Sequence, residues 1–108
     1  MRHQYRLTDQ NEFAFTACCT NSQRLQLGFG NITLLMQKDE FSRLLTQVED
    51  TFLHISNREA CPCCRTIIIE TSVKNMVFSF SHHELELLLE VMQKTHMLLQ
   101  AHHIINPN

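Results

Sequence analysis

The sequence has no tryptophan and only two glycines and two prolines in 108 residues. So few chain breakers exclude collagen-like, linker-rich and low-complexity organisation. No apolar run exceeds three residues, whereas a membrane-spanning helix needs about 20. The opening stretch MRHQYRLTDQNEF lacks the apolar core of about 7–15 residues that marks a secretory signal, so a cytoplasmic location is expected. Charge of one sign is also missing. The formal net charge is −2, and the nine basic residues are scattered, which gives no concentrated positive field for phosphates to bind. Neither nucleic acid nor a membrane is an expected partner.

What is present is a core. Hydrophobic residues make up 44% of the chain, and this length suits one domain over 1–108, since domains cluster near roughly 100–150 residues. Shifting the sequence by 44 positions lays NITLLMQKDEFSRLLTQVE (31–49) over NMVFSFSHHELELLLEVMQ (75–93). Asn31 meets Asn75, Glu40 meets Glu84, Leu44 meets Leu88, Leu45 meets Leu89, and Cys19 meets Cys63. Two pseudo-repeats, about 18–56 and 62–104, are therefore expected.

In the first repeat, Leu25, Leu27 and Phe29 alternate, as do Ile32, Leu34 and Met36. That is the period of half-buried strands. Gly28 and Gly30-Asn31 read as hairpin turn residues. RTIIIETS and NMVFSF repeat the hairpin around Val73-Lys74-Asn75, and the β-branched run Ile67–Ile69 suits a central strand buried on both faces. A helix over 38–55 follows the first hairpin, with Phe41, Leu44, Leu45, Val48 and Phe52 forming one stripe. Ser81 and Glu84 make a capping box that starts a second helix over about 82–103. Ahead of both units, HQYRL and EFAFTACC form an N-terminal hairpin joined by Thr8–Asn11. The expected class is α+β: a mostly antiparallel sheet of four to six strands, two helices on one face, and a ββα-ββα duplication.

The five cysteines carry the only distinctive chemistry. In a reducing compartment they read as metal ligands, reactive thiols or core residues in preference to disulfides. Cys61 and Cys64 stand in C-x-x-C spacing, which lets two thiolates reach one tetrahedral ion from a single turn; Cys63 offers a third ligand. The repeat makes Cys18 and Cys19 the counterpart cluster, so all five are candidate ligands for a structural zinc. Adjacent strand residues point to opposite faces, however, which separates Cys18 from Cys19. The competing readings are small core residues and a redox-active or metal-responsive Cys61–Cys64 pair. Redox chemistry needs a stabilised thiolate; CPCC follows a helix and precedes a strand, out of reach of a helix N-terminus in sequence, although Arg58 and Arg65 flank it. His82, His83, His96, His102 and His103 are weaker ligand candidates, better read as solvated positions near helix ends.

Leu87, Val91 and Leu98 add a second apolar stripe to the long helix. Either that helix packs on both the sheet and the other helix, or these residues form an interface with a second copy or a protein partner. No phosphate-binding loop is present, since LGFGN lies in a hairpin and lacks the lysine and strand-to-helix spacing. Glu84, Glu86 and Glu90 read as solubilising charge.

The succession C-C…L-G-F-G-N-I-T-L followed by E-F, over roughly 17–45, resembles a family of short uncharacterised Bacteroidetes proteins that place paired cysteines ahead of an F-G-N strand. The resemblance implies a bacterial cytoplasmic protein and brings no assigned activity. The expected function is that of a small non-enzymatic domain, holding zinc or binding a partner.

Overall fold

A computed structural model describes residues 4–19, 22–55 and 64–105, with the backbone alone for 102–105. The chain runs through strands β1 (Tyr5–Gln10), β2 (Ala14–Cys19), β3 (Arg24–Phe29) and β4 (Ile32–Gln37), helix α1 (Lys38–Ile55), strands β5 (Ile67–Glu70) and β6 (Val77–Phe80), and helix α2 (His82–Ile105). All pairings are antiparallel, as the alternating segments predict. The strands divide into two sheets, a four-stranded β1-β2-β3-β4 meander and a separate β5-β6 hairpin. The class is mixed α+β. Among the described residues no helix is long and apolar enough to cross a membrane.

Local chemistry accounts for the elements. β3 and β4 join through Gly30-Asn31, and Gly30 has φ +58°. A positive φ at the first central position alone is the mark of a type II′ turn. The N-terminal hairpin is longer than predicted. β1 continues through Gln10, and the turn is held by Asn11, whose Oδ1 accepts the N–H groups of Phe13 and Ala14 at 3.0 and 2.9 Å. Such an Asx turn replaces backbone bonds with a side-chain acceptor. The Asn11 amide also donates to the Leu87 carbonyl at 2.8 Å, fixing this hairpin to α2.

Both helix starts use the glutamate that the 44-residue shift aligned. Glu84 accepts the Ser81 N–H at 2.9 Å while the Ser81 hydroxyl accepts the Glu84 N–H at 3.1 Å, completing the capping box. Glu40 accepts the Gln37 N–H at 3.1 Å, half of the same device. Matched positions also share burial: Leu25 with Ile69, Phe41 with Leu85, Leu45 with Leu89, Val48 with Met92. Any hairpin–helix unit packed on one core adopts that phase. The two hairpins differ in setting, since β3-β4 completes the large sheet and β5-β6 stands apart.

Thr16, which bonds to Thr95 on α2, identifies the covered face of the four-stranded sheet. Ala14, Leu25, Leu27 and Phe29 share that face and belong to the core, with Ile32, Leu34 and Met36 packed against it. α1 lies over β3 and β4, and α2 over β1 and β2. Phe29 joins the two sheets, its ring 5.1 Å from Phe78 and 5.3 Å from Phe80. Each fully buried large side chain contributes on the order of 1.5–3 kcal/mol, so this aromatic junction and the helix stripes dominate stability.

Two expectations are corrected. Ile67–Ile69 is not doubly buried: Ile67 and Ile69 face the core, while Ile68 is 57% exposed, because a two-stranded hairpin has only one covered face. Gly28 is not a turn residue. It lies within β3 opposite Phe15, and a Cβ there would stand 1.9 Å from the Phe15 ring. Only glycine lets the ring lie on the strand.

Candidate functional site

The cysteines were the sequence's strongest candidates, and their places differ. Cys18 and Cys19 sit side by side on β2 and so face opposite ways. Cys18 is half-buried on the helix-covered face, where its sulfur accepts the Thr8 hydroxyl at 3.0 Å. Thr8 reaches it from a bulge between Leu7 and Asp9. Cys19 is buried on the other face, across from Tyr5. Cys64 is exposed and its carbonyl accepts the Thr66 N–H at 2.9 Å. Cys61 and Cys63 lie outside the described residues, as does Arg58. Among the described residues no three of His, Cys, Asp and Glu stand together as a metal-holding group.

Sequence order separates CPCC from any helix start, yet Arg65 is fastened to the first turn of α2. Its guanidinium donates to both Glu84 oxygens, at 3.0 Å through Nε and 2.8 Å through Nη2. Glu84 therefore caps α2 and anchors the segment after Cys64. The hydrogen bonds from Arg65 hold the Glu84 carboxyl below its ordinary value; partial burial opposes them, and the Ser81 N–H and the Arg65 charge assist. The guanidinium beside Cys64 is thus already engaged by a carboxylate. Of the histidines, His82 packs its ring 5.3 Å from that of Phe52, closing α1 against α2. His83 is exposed and His96 half-buried.

The proposed interface residues part company. Val91 is fully buried in the core, Leu87 is half-buried, and Leu98 is 46% exposed. α1, β1, β2 and β6 lie against α2 and cover Val91 and most of Leu87, while Leu98 stays at the surface.

The bare surface lies on the far face of the four-stranded sheet, where no described element packs. Two adjacent rows cross it. One runs Leu7, Ala17, Gln26, Leu35 and the next Gln10, Phe15, Gly28, Thr33, each strand contributing one residue. Leu7 is 58% and Leu35 61% exposed at the two edges, while Ala17 is nearly covered in the middle. None of these eight side chains is charged. The solvent side of the helices differs in carrying charge, with Lys38, Asp39, Arg43, Asp50, Glu86 and Glu90 all exposed beside the apolar Leu53, Met97 and Leu98. The signal for this face was β2 itself: AFTACC is apolar at both parities and is buried or half-buried on both sides as a central strand.

A four-stranded meander backed by two helices, with an attached hairpin and two uncharged rows on its far face, defines a small α+β domain. The chain belongs to a family of unknown function, DUF6686, whose sequence model matches residues 1–106. Comparison with curated proteins and with solved structures returned no match.

Proposed function

We propose that this chain is a small non-enzymatic protein-interaction domain of the bacterial cytoplasm that docks a protein partner on the far face of its four-stranded sheet. The supporting observation is the charge asymmetry. Two rows of four side chains carry no charge, and one of them ends in exposed Leu7 and Leu35, while charged side chains line the helices. Depletion of charge with exposed large apolar groups is the compositional mark of an interface core. The test places a photo-crosslinking residue at Leu35 or, as control, at Arg43 on α1, in cells of the native host. A discrete adduct from the Leu35 position and none from Arg43 is expected; equal or no adducts from both overturn the reading.

The C-x-x-C spacing of Cys61 and Cys64 supports a second reading, a structural zinc bound by thiolates drawn from Cys18, Cys19, Cys61, Cys63 and Cys64. Elemental analysis with thiol counting before and after chelation decides it. Metal-free protein with five freely titrating thiols overturns the zinc site, and a reducible Cys61–Cys64 bond favours the thiol-redox alternative.

A further inference from the structure

Resting on the docking reading above, we infer that the occupant of the bare sheet face is a second copy of this chain, stacked face to face about a twofold axis parallel to the strands, so that β1 of each copy lies over β4 of the other.

Two features of the face favour a second copy. First, like charges repel across an interface, and these eight uncharged residues let the two rows meet their own counterparts without repulsion. Arg24 stands one row beyond them, near the sheet's end. Second, the rows are self-complementary under that axis. A rotation about the strand direction keeps each row facing its own counterpart and exchanges the edges. Leu7 then lies over Leu35 of the other copy and Ala17 over Gln26, large against small in the centre and leucine against leucine at both rims. Sheets that pack face to face stand about 10 Å apart with strands near −30°, a gap that two leucine side chains fill.

The area sets the strength. Four strands about 4.8 Å apart with six residues at about 3.4 Å give a footprint of roughly 400 Å² per copy. Two such faces remove on the order of 800–1,000 Å² from water, below the roughly 1,200 Å² of stable interfaces and in the range of transient ones. The dimer is accordingly weak, with dissociation in the micromolar range or above, and concentration-dependent.

Sedimentation velocity over rising concentration reads this directly. The wild-type chain is expected to move from 12.7 kDa toward twice that mass. Leu35→Glu and Leu7→Lys each weaken the association about tenfold or more, with unchanged circular dichroism as the folding control. The double variant Leu7→Lys/Leu35→Glu restores it, because the introduced ammonium of one copy lies over the introduced carboxylate of the other while the two stand at opposite edges within one chain. A wild-type chain that stays monomeric at every concentration overturns the second copy as occupant, and a crosslinked adduct of another mass then leaves the docking reading standing. A dimer indifferent to both single variants overturns the sheet face as the contact between copies. Single variants that dissociate without rescue in the double overturn the β1-over-β4 arrangement.

Discussion

Thr16 on β2 and Thr95 on α2 share a hydrogen bond between hydroxyls, and both residues are fully buried. They form a buried polar link between the sheet and the long helix, set among apolar neighbours where an unpartnered hydroxyl has no water to turn to. Thr95→Val leaves the Thr16 hydroxyl buried and unpaired, and is expected to cost about 1–3 kcal/mol. Thr16→Val/Thr95→Val removes donor and acceptor together and should recover most of that loss. Urea unfolding of the two single variants and the double gives the coupling; additive losses would sink the account.

Phe15 and Gly28 form a second coupled pair. Because a Cβ at position 28 meets the Phe15 ring at 1.9 Å, Gly28→Ala forces the ring off the strand, and overpacking of this kind costs about 1–3 kcal/mol. In a Phe15→Ala background the same change meets open space and should cost little or become stabilising, since alanine orders a strand better than glycine does. A thermal-melt cycle tests the point. An equal cost in both backgrounds would show that the ring is not the obstacle.

Glu84 gives the chain a pH-dependent element. Its folded carboxyl titrates below the ordinary value of 4.5, chiefly through its hydrogen bonds to Arg65. A lowered carboxylate pKa stabilises the fold above the unfolded value, and that contribution disappears as pH falls through the folded one. Stability should therefore decline below about pH 4.5. Glu84→Gln keeps an acceptor for the Ser81 N–H but loses the charge, so it should lower the urea midpoint at pH 7 and flatten the acid limb. Because Arg65 is largely exposed, solvent screening keeps the ion-pair part small. An acid limb identical in the variant would assign the pH dependence to other carboxylates.

Much of this fold was legible because its signals are local. The span 38–55 for α1 follows from one apolar stripe between polar faces, and the start of α2 from Ser81 and Glu84, whose capping bonds need no distant residue. The sheet's division was not legible. Alternation in Ile67–Ile69 and Val77–Phe80 reports strands, whereas which strand a hairpin joins depends on the Phe29, Phe78 and Phe80 rings packing across the gap. Gly28 was misplaced because glycine before F-G-N resembles turn chemistry, and only the register with Phe15 shows why it is there. The site was hardest. Cysteine spacing draws notice to chemistry, but the open sheet face appears only when residues from four strands are laid side by side. Thr95, one hydroxyl among leucines, reads as a gap in the stripe until its partner on β2 is known.

Val91 and Leu98 lie on the same helix, and their substitution separates packing from surface. Val91 is 0% exposed and Leu98 46%, so truncation should act through different physics. Val91→Ala opens a cavity among Leu88, Met92 and the facing elements and should cost about 1–3 kcal/mol. With roughly 4 °C lost per kcal/mol in a domain of this size, the melting midpoint should drop by several degrees. Leu98→Ala removes solvent-facing surface and should stay within about 0.5 kcal/mol. Neither should alter the solution mass at matched concentration, because association is assigned to Leu7 and Leu35 on the sheet. A mass change for Leu98→Ala with stability intact would move the contact to the helix, whereas a stability loss confined to Val91→Ala leaves α2 as the internal support of the four-stranded sheet.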